Sequence, residues 1–324
     1  MKLIAIEEHY WYPPVGERSD VTPILRAAGH PAVSKLGDLG AGRISDMDAA
    51  GISMQVISHF DPGVQEMPVS EAVPLAREAN DMLADAVKKY PDRFAGFATL
   101  PVQDPDSAVA ELERMVGRHG FVGAMINGHA GGHYLDEQRY WPIFECAEKL
   151  GVVIYMHPTS PPQAVMDTYY KGYIEDGLHL ASWGFGVEAA THALRLIYSG
   201  LFDKYPKLQM VLGHMGEMLP FAMWRIDRYY FPKSWFANSG KKGRIERLPG
   251  DYFRENFHIS TSGNFNYPAL QCSLMTIGAD RILFSVDYPM DSNIDAANFI
   301  NNAALSQSDR EKIAFRNAEK LLGL

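Results

Sequence analysis

Eight short apolar segments, separated by stretches with helical periodicity, constrain the fold of this 324-residue chain more than any other feature. Each segment is rich in Val, Ile, Leu or Phe and is bounded by Gly, Pro or Asp, which is typical of buried parallel strands. We predict strands at residues 3–9, 54–60, 94–100, 123–129, 152–158, 208–216, 257–263 and 282–289. Helical patterns occupy residues 70–90, 106–119, 140–150, 187–202, 217–230, 267–277 and 309–322.

Strands that alternate with helices in this way predict an α/β fold, a closed (β/α)8 TIM barrel, with residues 1–324 forming a single domain. An open doubly wound sheet is the alternative, although the first strand is not followed by the GxGxxG motif of its nucleotide-binding versions. Long connections at residues 10–42 and 161–184 follow strands, so we expect them to form long loops at the catalytic face.

Charge and composition exclude several classes of function. The net charge of −9 argues against a nucleic-acid partner, because phosphate binding needs a basic surface. Cys146 and Cys272 form no CxxC pair, so neither a disulfide framework nor a thiolate metal site is indicated. The apolar run before Glu7 is too short for a signal peptide, and no stretch reaches the ~18 apolar residues of a membrane span. We expect a cytoplasmic protein without a membrane partner.

Four predicted strands end in residue types that bind metals or transfer protons. In chain order, these ends carry Glu7, Glu8 and His9, then His157, then His214 and Glu217, and finally Asp287. The carboxyl ends of barrel strands converge on one mouth, so residues distant in sequence become neighbours there. A single histidine at a strand end is more often structural, but that interpretation would need four independent coincidences. We predict one divalent metal site formed by Glu7, His9, His157 and Asp287.

Strand geometry orients the residues of the first strand. Side chains alternate between faces, so Glu7 and His9 share one face and Glu8 takes the other. If Glu7 and His9 point into the barrel, Leu3 and Ala5 should also point inward, and Glu8 should point toward the helices.

The motifs at these strand ends resemble those of a known family. Glu7-x-His9, His157-Pro158, the Gly-His-Met-Gly-Glu segment at 213–217 and the Leu-Phe-Ser-Val-Asp-Tyr-Pro segment at 283–289 are similar to motifs of the amidohydrolase-related decarboxylases. That group includes aminocarboxymuconate semialdehyde, γ-resorcylate, 2,3-dihydroxybenzoate and 5-carboxyvanillate decarboxylases. The resemblance spans nearly the whole chain and implies a homodimer or homotetramer.

The resemblance also implies roles for the matching positions. His214 and Glu217 would be acid–base or orienting groups beside the metal ligands. Arg43 and Arg225 resemble substrate-binding positions of the carboxyvanillate enzyme, with Arg225 reaching across a subunit interface; surface salt bridges are the alternative for both arginines. Asn127 stands where binuclear members of the wider superfamily carry a metal-bridging lysine, which favours a single metal ion and leaves Asn127 as a candidate substrate contact.

Two carboxylates and two imidazoles suit Mn(II) as well as Zn(II), and we favour Mn(II), with no organic cofactor. The reaction that the resemblance implies is non-oxidative decarboxylation of a small aromatic carboxylate, a hydroxylated benzoate. The ring carbon must be protonated before the bond to the carboxylate breaks, and Asp287 is the natural proton donor. Tyr10, Phe60 and Tyr288, with Trp11, would supply flat apolar walls for the ring.

Two other functions fit the same residues. Metal-dependent hydrolysis of a lactone or an amide would use the ion to activate water, with Asp287 accepting its proton and His214 stabilising the oxyanion. A non-catalytic metal-binding module would not need His214 and Glu217 beside an open coordination position.

Overall fold

Eight parallel strands follow one another around a barrel in this computed structural model, which describes residues 1–17, 26, 29–230 and 243–324. Each strand pairs with the next in sequence order. The strands are β1 Ile4–Tyr10, β2 Met54–His59, β3 Phe94–Thr99, β4 Gly123–Asn127, β5 Val153–His157, β6 Met210–Leu212, β7 Phe257–Ser260 and β8 Ile282–Leu283. The predicted TIM barrel and all eight of its strands are confirmed, and β6, β7 and β8 are shorter than expected.

The barrel closes between β8 and β1 through the segment that follows β8. Glu8 and Tyr288 form a parallel bridge. His9 N donates to Tyr288 O at 2.6 Å, and Asp287 N donates to Glu7 O at 3.0 Å. The Glu8 carboxylate, which faces away from the barrel interior, accepts three more hydrogen bonds at 3.0–3.1 Å from the segment that carries Asp287. This closure holds Asp287 beside Glu7 and His9.

The inward orientation expected for Leu3 and Ala5 is wrong. The register of β1 against β2 shifts between Ala5 and Glu8, and such a bulge interrupts the alternation of side chains. Ile4 and Ile6 pack with the residues that fill the barrel interior, whereas Leu3 and Ala5 pack with the helix layer. Beyond the shift, the two predicted ligands of this strand face the barrel mouth as expected.

Helices cover the outside of the barrel. The longer ones are α1 Ala41–Ala50, α2 Val69–Lys89, α3 Pro105–His119, α4 Trp141–Leu150, α5 Gly184–Ser199, α6 Leu219–Tyr229, α7 Pro249–Asn256, α8 Tyr267–Ile277 and α9 Asn293–Asn302. The sequence did not predict α1, α7 and α9, because their polar residues and few apolar ones mask the helical period. The predicted helix 309–322 is divided into Gln307–Glu311, a π-helical turn Lys312–Arg316 and Asn317–Leu322.

Shorter helical segments lie in the connections. They are Pro13–Gly16, Ala32–Leu36, Gln138–Tyr140, Gln163–Val165, Met166–Tyr170, Leu201–Lys204 and Ala279–Arg281. Part of the connection 10–42, namely residues 18–25 and 27–28, lies outside the described residues. Within the described ranges, no helix combines the length and the apolar character that crossing a membrane requires.

Candidate active site

Four side chains converge at the carboxyl ends of the strands, as predicted. One potential ligand atom from each of Glu7, His9, His157 and Asp287 lies within 4.8 Å of the others. His9 Nε2 is 3.1 Å from Asp287 Oδ1, and His157 Nε2 is 3.7 Å from Glu7 Oε1. Glu7 Oε1, His9 Nε2 and Asp287 Oδ1 are buried and make no well-formed hydrogen bond within the described part of the chain. Because buried, unpaired donors and acceptors are costly, this set of atoms fits a divalent cation.

Buried hydroxyl groups orient Glu7. The Tyr155 hydroxyl donates to Glu7 Oε2, and Ser260 Oγ donates to the same oxygen at 3.2 Å. Gly213 allows the close approach of the chain on the other side, since a Cβ there would lie 2.9 Å from Glu7 Oε2. Oε1 is thereby left to face the site. Burial raises the pKa of Glu7 above its usual range, and a bound cation would lower it by stabilising the carboxylate.

The two histidines present ring nitrogens to the same point. Burial lowers the pKa of His157 to about 3, so the ring is neutral. His157 Nδ1 lies 2.7 Å from Pro158 O; a neutral ring that donates there carries its lone pair on Nε2, toward the site. His9 Nδ1 lies 3.3 Å from Ser58 Oγ, which leaves His9 Nε2 for the site. These outer contacts hold each ring in a ligating orientation.

His214 connects Glu217 to Asp287. His214 Nδ1 is 2.6 Å from Glu217 Oε1, and His214 Nε2 is 3.4 Å from Asp287 Oδ2. Burial alone would lower the pKa of His214, but the carboxylates of Glu217, Glu7 and Asp287 raise it well above its usual value. Burial alone would raise the pKa of Asp287, but the imidazoles of His214 and His9 beside its two carboxylate oxygens hold it below its usual range. The three groups can therefore hold a proton beside the candidate ligands.

His214 and Glu217 lie on a left-handed turn. The five successive residues from His214 to Met218 have φ between 49° and 77°. This conformation costs a non-glycine residue about 1–2 kcal/mol, so only Gly216 adopts it freely. Met215 N donates to Ser260 O at 2.8 Å and holds the turn against β7. The turn aims both side chains at each other, and such strain is typical of functional sites.

A cavity of about 960 Å³ opens onto these groups. His157, His214, Glu217 and Asp287 line it on the polar side. Its remaining wall is largely apolar and includes Phe60, Leu180, Trp183, Phe185, Met218, Phe221 and Met290. The connection 161–184 contributes part of this wall, which confirms that this long loop lies at the catalytic face.

Of the predicted substrate contacts, Phe60 lines the cavity, whereas Asn127 lies at the end of β4 without lining it. The ring centroid of Phe60 is 5.5 Å from that of His9. Asn127 ends β4 in register with His157. Asn127 is buried, and its Oδ1 has no hydrogen-bond partner within the described ranges.

Tyr10 and Tyr288 were predicted to contact substrate, but both face the helix layer. Tyr10 follows His9 in β1, and alternation turns it outward, where its hydroxyl donates to Ala79 O at 2.7 Å. The Tyr288 hydroxyl donates to Asp46 Oδ2 at 2.8 Å. Neither side chain lines the cavity. We therefore correct their role from substrate contact to packing between the barrel and the helices.

Arg43 was also predicted to bind substrate, and it lies behind β1 instead. Its fully buried guanidinium donates to the backbone carbonyls of His9 and, at 2.8 Å, Asp38. The same group lies 4.8 Å from the ring centroid of Tyr288. These contacts hold the guanidinium away from the cavity. We therefore correct the role of Arg43 from substrate binding to stabilisation of β1, the strand that carries two candidate ligands.

Arg225 extends from the exposed face of α6 and does not line the cavity of its own chain. Its guanidinium lies 4.9 Å from the ring centroid of Tyr229. A contact with substrate across a subunit interface, which the resemblance implies, would need a second chain.

Three site residues escaped the sequence analysis: Glu8 as a closure group, Tyr155 and Asp291. Tyr155 had a signal, because it stands two residues before His157 and therefore shares its face of β5. Asp291 had none, since it lies in an irregular segment after β8 that returns to the cavity.

Comparison with known proteins is consistent with this geometry. A sequence profile described as amidohydrolase matches residues 9–324. The chain belongs to the amidohydrolase family. The chain is also similar to the γ-resorcylate decarboxylase of Polaromonas sp. strain JS666, which is 44% identical over 301 residues that cover 90% of this chain and 89% of that protein.

Two solved structures are similar over the full chain. A dihydroxybenzoic acid decarboxylase from Polaromonas sp. JS666, with bound manganese and the inhibitor 2-nitroresorcinol, has a TM-score of 0.90 and 41% identity, covering 100% of this chain and 97% of that one. The 5-carboxyvanillate decarboxylase from Sphingomonas paucimobilis has a TM-score of 0.91 and 35% identity, and the match covers 100% of this chain and 99% of that one. This amidohydrolase is therefore an enzyme of the decarboxylase group.

Proposed function

We propose that this enzyme catalyses the non-oxidative, metal-dependent decarboxylation of a hydroxylated benzoate. The observation that carries the proposal is that four potential ligand atoms converge beside the linked side chains of Glu217, His214 and Asp287. These groups lie at the polar side of an otherwise apolar cavity. The relatives named above act on small aromatic carboxylates of this kind, which supports the same substrate class here.

We propose Glu7, His9, His157 and Asp287 as ligands of one divalent ion, Mn(II) in preference to Zn(II). Hard carboxylate oxygens beside two imidazoles suit Mn(II), and the related Polaromonas structure contains manganese. When bound, the ion would supply orientation of the substrate carboxylate and an adjacent hydroxyl, together with withdrawal of negative charge.

Asp287 delivers a proton to the ring carbon that bears the carboxylate. The proton reaches Asp287 when the hydroxylated substrate binds. Protonation removes the aromaticity of the ring; the bond to the carboxylate then breaks, its electron pair restores the aromatic ring, and CO2 leaves. His214, held by Glu217, stabilises the ionised Asp287 that remains. Phe60 and the apolar cavity wall pack against the ring and exclude water.

Turnover in D2O tests the reaction class. We expect CO2 release from a hydroxybenzoate and one deuterium on the carbon that carried the carboxylate. Asp287→Asn should lose nearly all turnover, because an amide cannot donate that proton. Mass spectrometry of the product decides: ring-unlabelled product that carries oxygen from labelled water, with no CO2 evolved, would replace the decarboxylase with a lactone or amide hydrolase.

Removal of a ligand tests the metal site. Glu7→Ala or His157→Ala should strip the metal and abolish activity while the circular dichroism spectrum stays native, because the barrel core does not depend on these side chains. His258→Ala, at the other end of the barrel, is a matched control that should keep its metal. A metallated and active His157→Ala enzyme would remove His157 from the ligand set.

We also propose that a second copy of the chain covers α6. The side chains of Phe221 and Trp224 on this helix are 85% and 74% exposed to solvent. Neighbouring aromatic side chains with this much exposed apolar surface are typical of a protein–protein contact. In this arrangement Arg225 reaches the substrate of the partner subunit. Sedimentation should show a dimer or tetramer that Trp224→Asp dissociates, with Tyr169→Asp, another exposed aromatic, as the control.

Arg225→Ala should raise KM without loss of metal, because the arginine is proposed to bind the substrate and not the ion. Unchanged kinetics would exclude a role for Arg225 in substrate binding.

A further inference from the structure

A carboxylate outside the candidate ligand set faces the same cavity. The backbone N–H of Asp291 donates to Asp287 O at 3.1 Å, and this turn brings the Asp291 side chain back to the site. A Cβ placed on Gly263 would lie 3.3 Å from Asp291 Oδ2, 3.3 Å from Asp287 Oδ2 and 3.1 Å from His214 Cδ2. Two carboxylates and the imidazole therefore border one small space, which the glycine keeps open.

Burial raises the pKa of Asp291, and the nearby His214 imidazole opposes this shift, but no lysine or arginine pairs with Asp291 within the described ranges. No ion pair or side-chain hydrogen bond engages it there, and no described lysine or arginine lines the cavity. An unpaired carboxylate in a partly enclosed cavity attracts a hydrogen-bond donor and repels a second anion. Such a group can select between ligands by attraction and by repulsion at once.

We propose that Asp291 is a specificity-determining residue, which accepts a hydrogen bond from a ring hydroxyl of the substrate that the metal does not hold. This inference rests on the proposed function and narrows its substrate class. The favoured substrates are monocarboxylic benzoates with at least two hydroxyl groups. Benzene dicarboxylates are disfavoured, because their second carboxylate would meet the Asp291 carboxylate in a cavity that no described lysine or arginine lines.

A pair of substrates that differ in one hydroxyl tests the assignment. Asp291→Ala in the Mn(II)-loaded enzyme should lower kcat/KM for 2,6-dihydroxybenzoate about tenfold to hundredfold, the effect of one hydrogen bond to a charged group. The kcat/KM of the same variant for 2-hydroxybenzoate, which lacks the second hydroxyl, should stay within about twofold of the wild-type value. Asp291 is exposed to solvent, so the variant is expected to fold, and circular dichroism checks this.

Asp295→Ala is the matched control, because it removes another exposed carboxylate, in the first turn of the following helix α9, without touching the cavity. It should leave both substrates unchanged. Equal losses for the two substrates in Asp291→Ala would overturn the inference, as would an unchanged rate with 2,6-dihydroxybenzoate. Wild-type turnover of 2-hydroxyisophthalate at the rate of 2,6-dihydroxybenzoate would overturn it too.

Binding of unreactive probes separates this inference from the proposed function. Wild-type enzyme should bind 2-nitroresorcinol more tightly than 2-nitrophenol, and Asp291→Ala should abolish that preference. If no hydroxybenzoate is decarboxylated but the preference is found, the proposed function fails and the role of Asp291 in selecting dihydroxylated ligands stands. If decarboxylation occurs and Asp291→Ala keeps the preference, the inference fails and the proposed function stands.

Discussion

At the scale of single residues, Tyr155 connects the barrel interior to the candidate metal site. Its ring packs among the interior residues, and its hydroxyl donates to Glu7 Oε2 and contacts Ser260 Oγ at 2.8 Å. With Oε2 occupied, Glu7 faces the site through Oε1 alone. Partners of this kind orient a ligand, and their loss typically weakens metal binding 10- to 100-fold.

We therefore expect Tyr155→Phe to weaken Mn(II) binding about tenfold or more, because the Glu7 carboxylate loses one of the hydroxyl groups that orient it. Equilibrium dialysis against Mn(II) measures this directly, without reference to activity. Tyr10→Phe is the matched control: it removes an equally buried hydroxyl that bonds Ala79 O on the helix side. Equal Mn(II) affinities of the two variants would rule out the role assigned to Tyr155.

At the scale of elements, the left-handed turn before α6 should favour glycine over alanine, which is the opposite of the preference inside a helix. Met218 has a φ of 67°, where the Cβ of an L-residue is strained and glycine is not. Met275 lies inside α8, where glycine is the less stable residue. Comparison of glycine with alanine at each position separates the backbone effect from the loss of the methionine side chain.

Met218→Gly should be more stable than Met218→Ala by about 1 kcal/mol, since glycine relieves the positive φ. At Met275 the order should reverse, with the alanine variant more stable by about 1 kcal/mol. Urea unfolding of the four variants gives both differences. The same order at the two positions would mean that the turn is not left-handed in solution.

At the scale of the whole molecule, buried titratable groups act on stability in opposite directions. Burial lowers the pKa of His59 to about 4 and of His192 and His258 to about 3. These histidines contribute stability above their unfolded value near 6.5, and it is lost as the pH falls toward the folded value. Burial raises the pKa of Glu8 and Asp61 to about 8, so their protonation favours the folded state as the pH falls below 8.

His192 isolates one of these contributions. Its Nε2 accepts a hydrogen bond from Leu135 N at 3.0 Å, and His129 and Arg195 add positive charge nearby. The stability advantage of wild type over His192→Gln should be constant above pH 6.5 and should shrink by about 1.4 kcal/mol per pH unit between pH 6.5 and 4. Urea unfolding across this range measures it, with exposed His119→Gln as the control. A pH-independent difference would contradict the neutral, buried histidine.

The sequence by itself determined the number and order of the strands and the residues that meet at their carboxyl ends. Apolar periodicity is a local property, and parallel strands in a barrel bring their ends together whatever the loops do. Glu7, His9, His157 and Asp287 could therefore be grouped without coordinates. Alternation alone also places Tyr10 on the face opposite His9, although we had assigned it to substrate.

Only the tertiary structure decided which polar groups face the cavity beyond those strand ends. The bulge in β1, the left-handed turn that pairs His214 with Glu217, and the return of Asp291 to the cavity depend on contacts between residues far apart in the chain. Arg43 likewise turns to a backbone carbonyl of β1, because closure of the barrel buries that face. Packing around the closed barrel selects these conformations against local preference, so no short stretch of sequence encodes them.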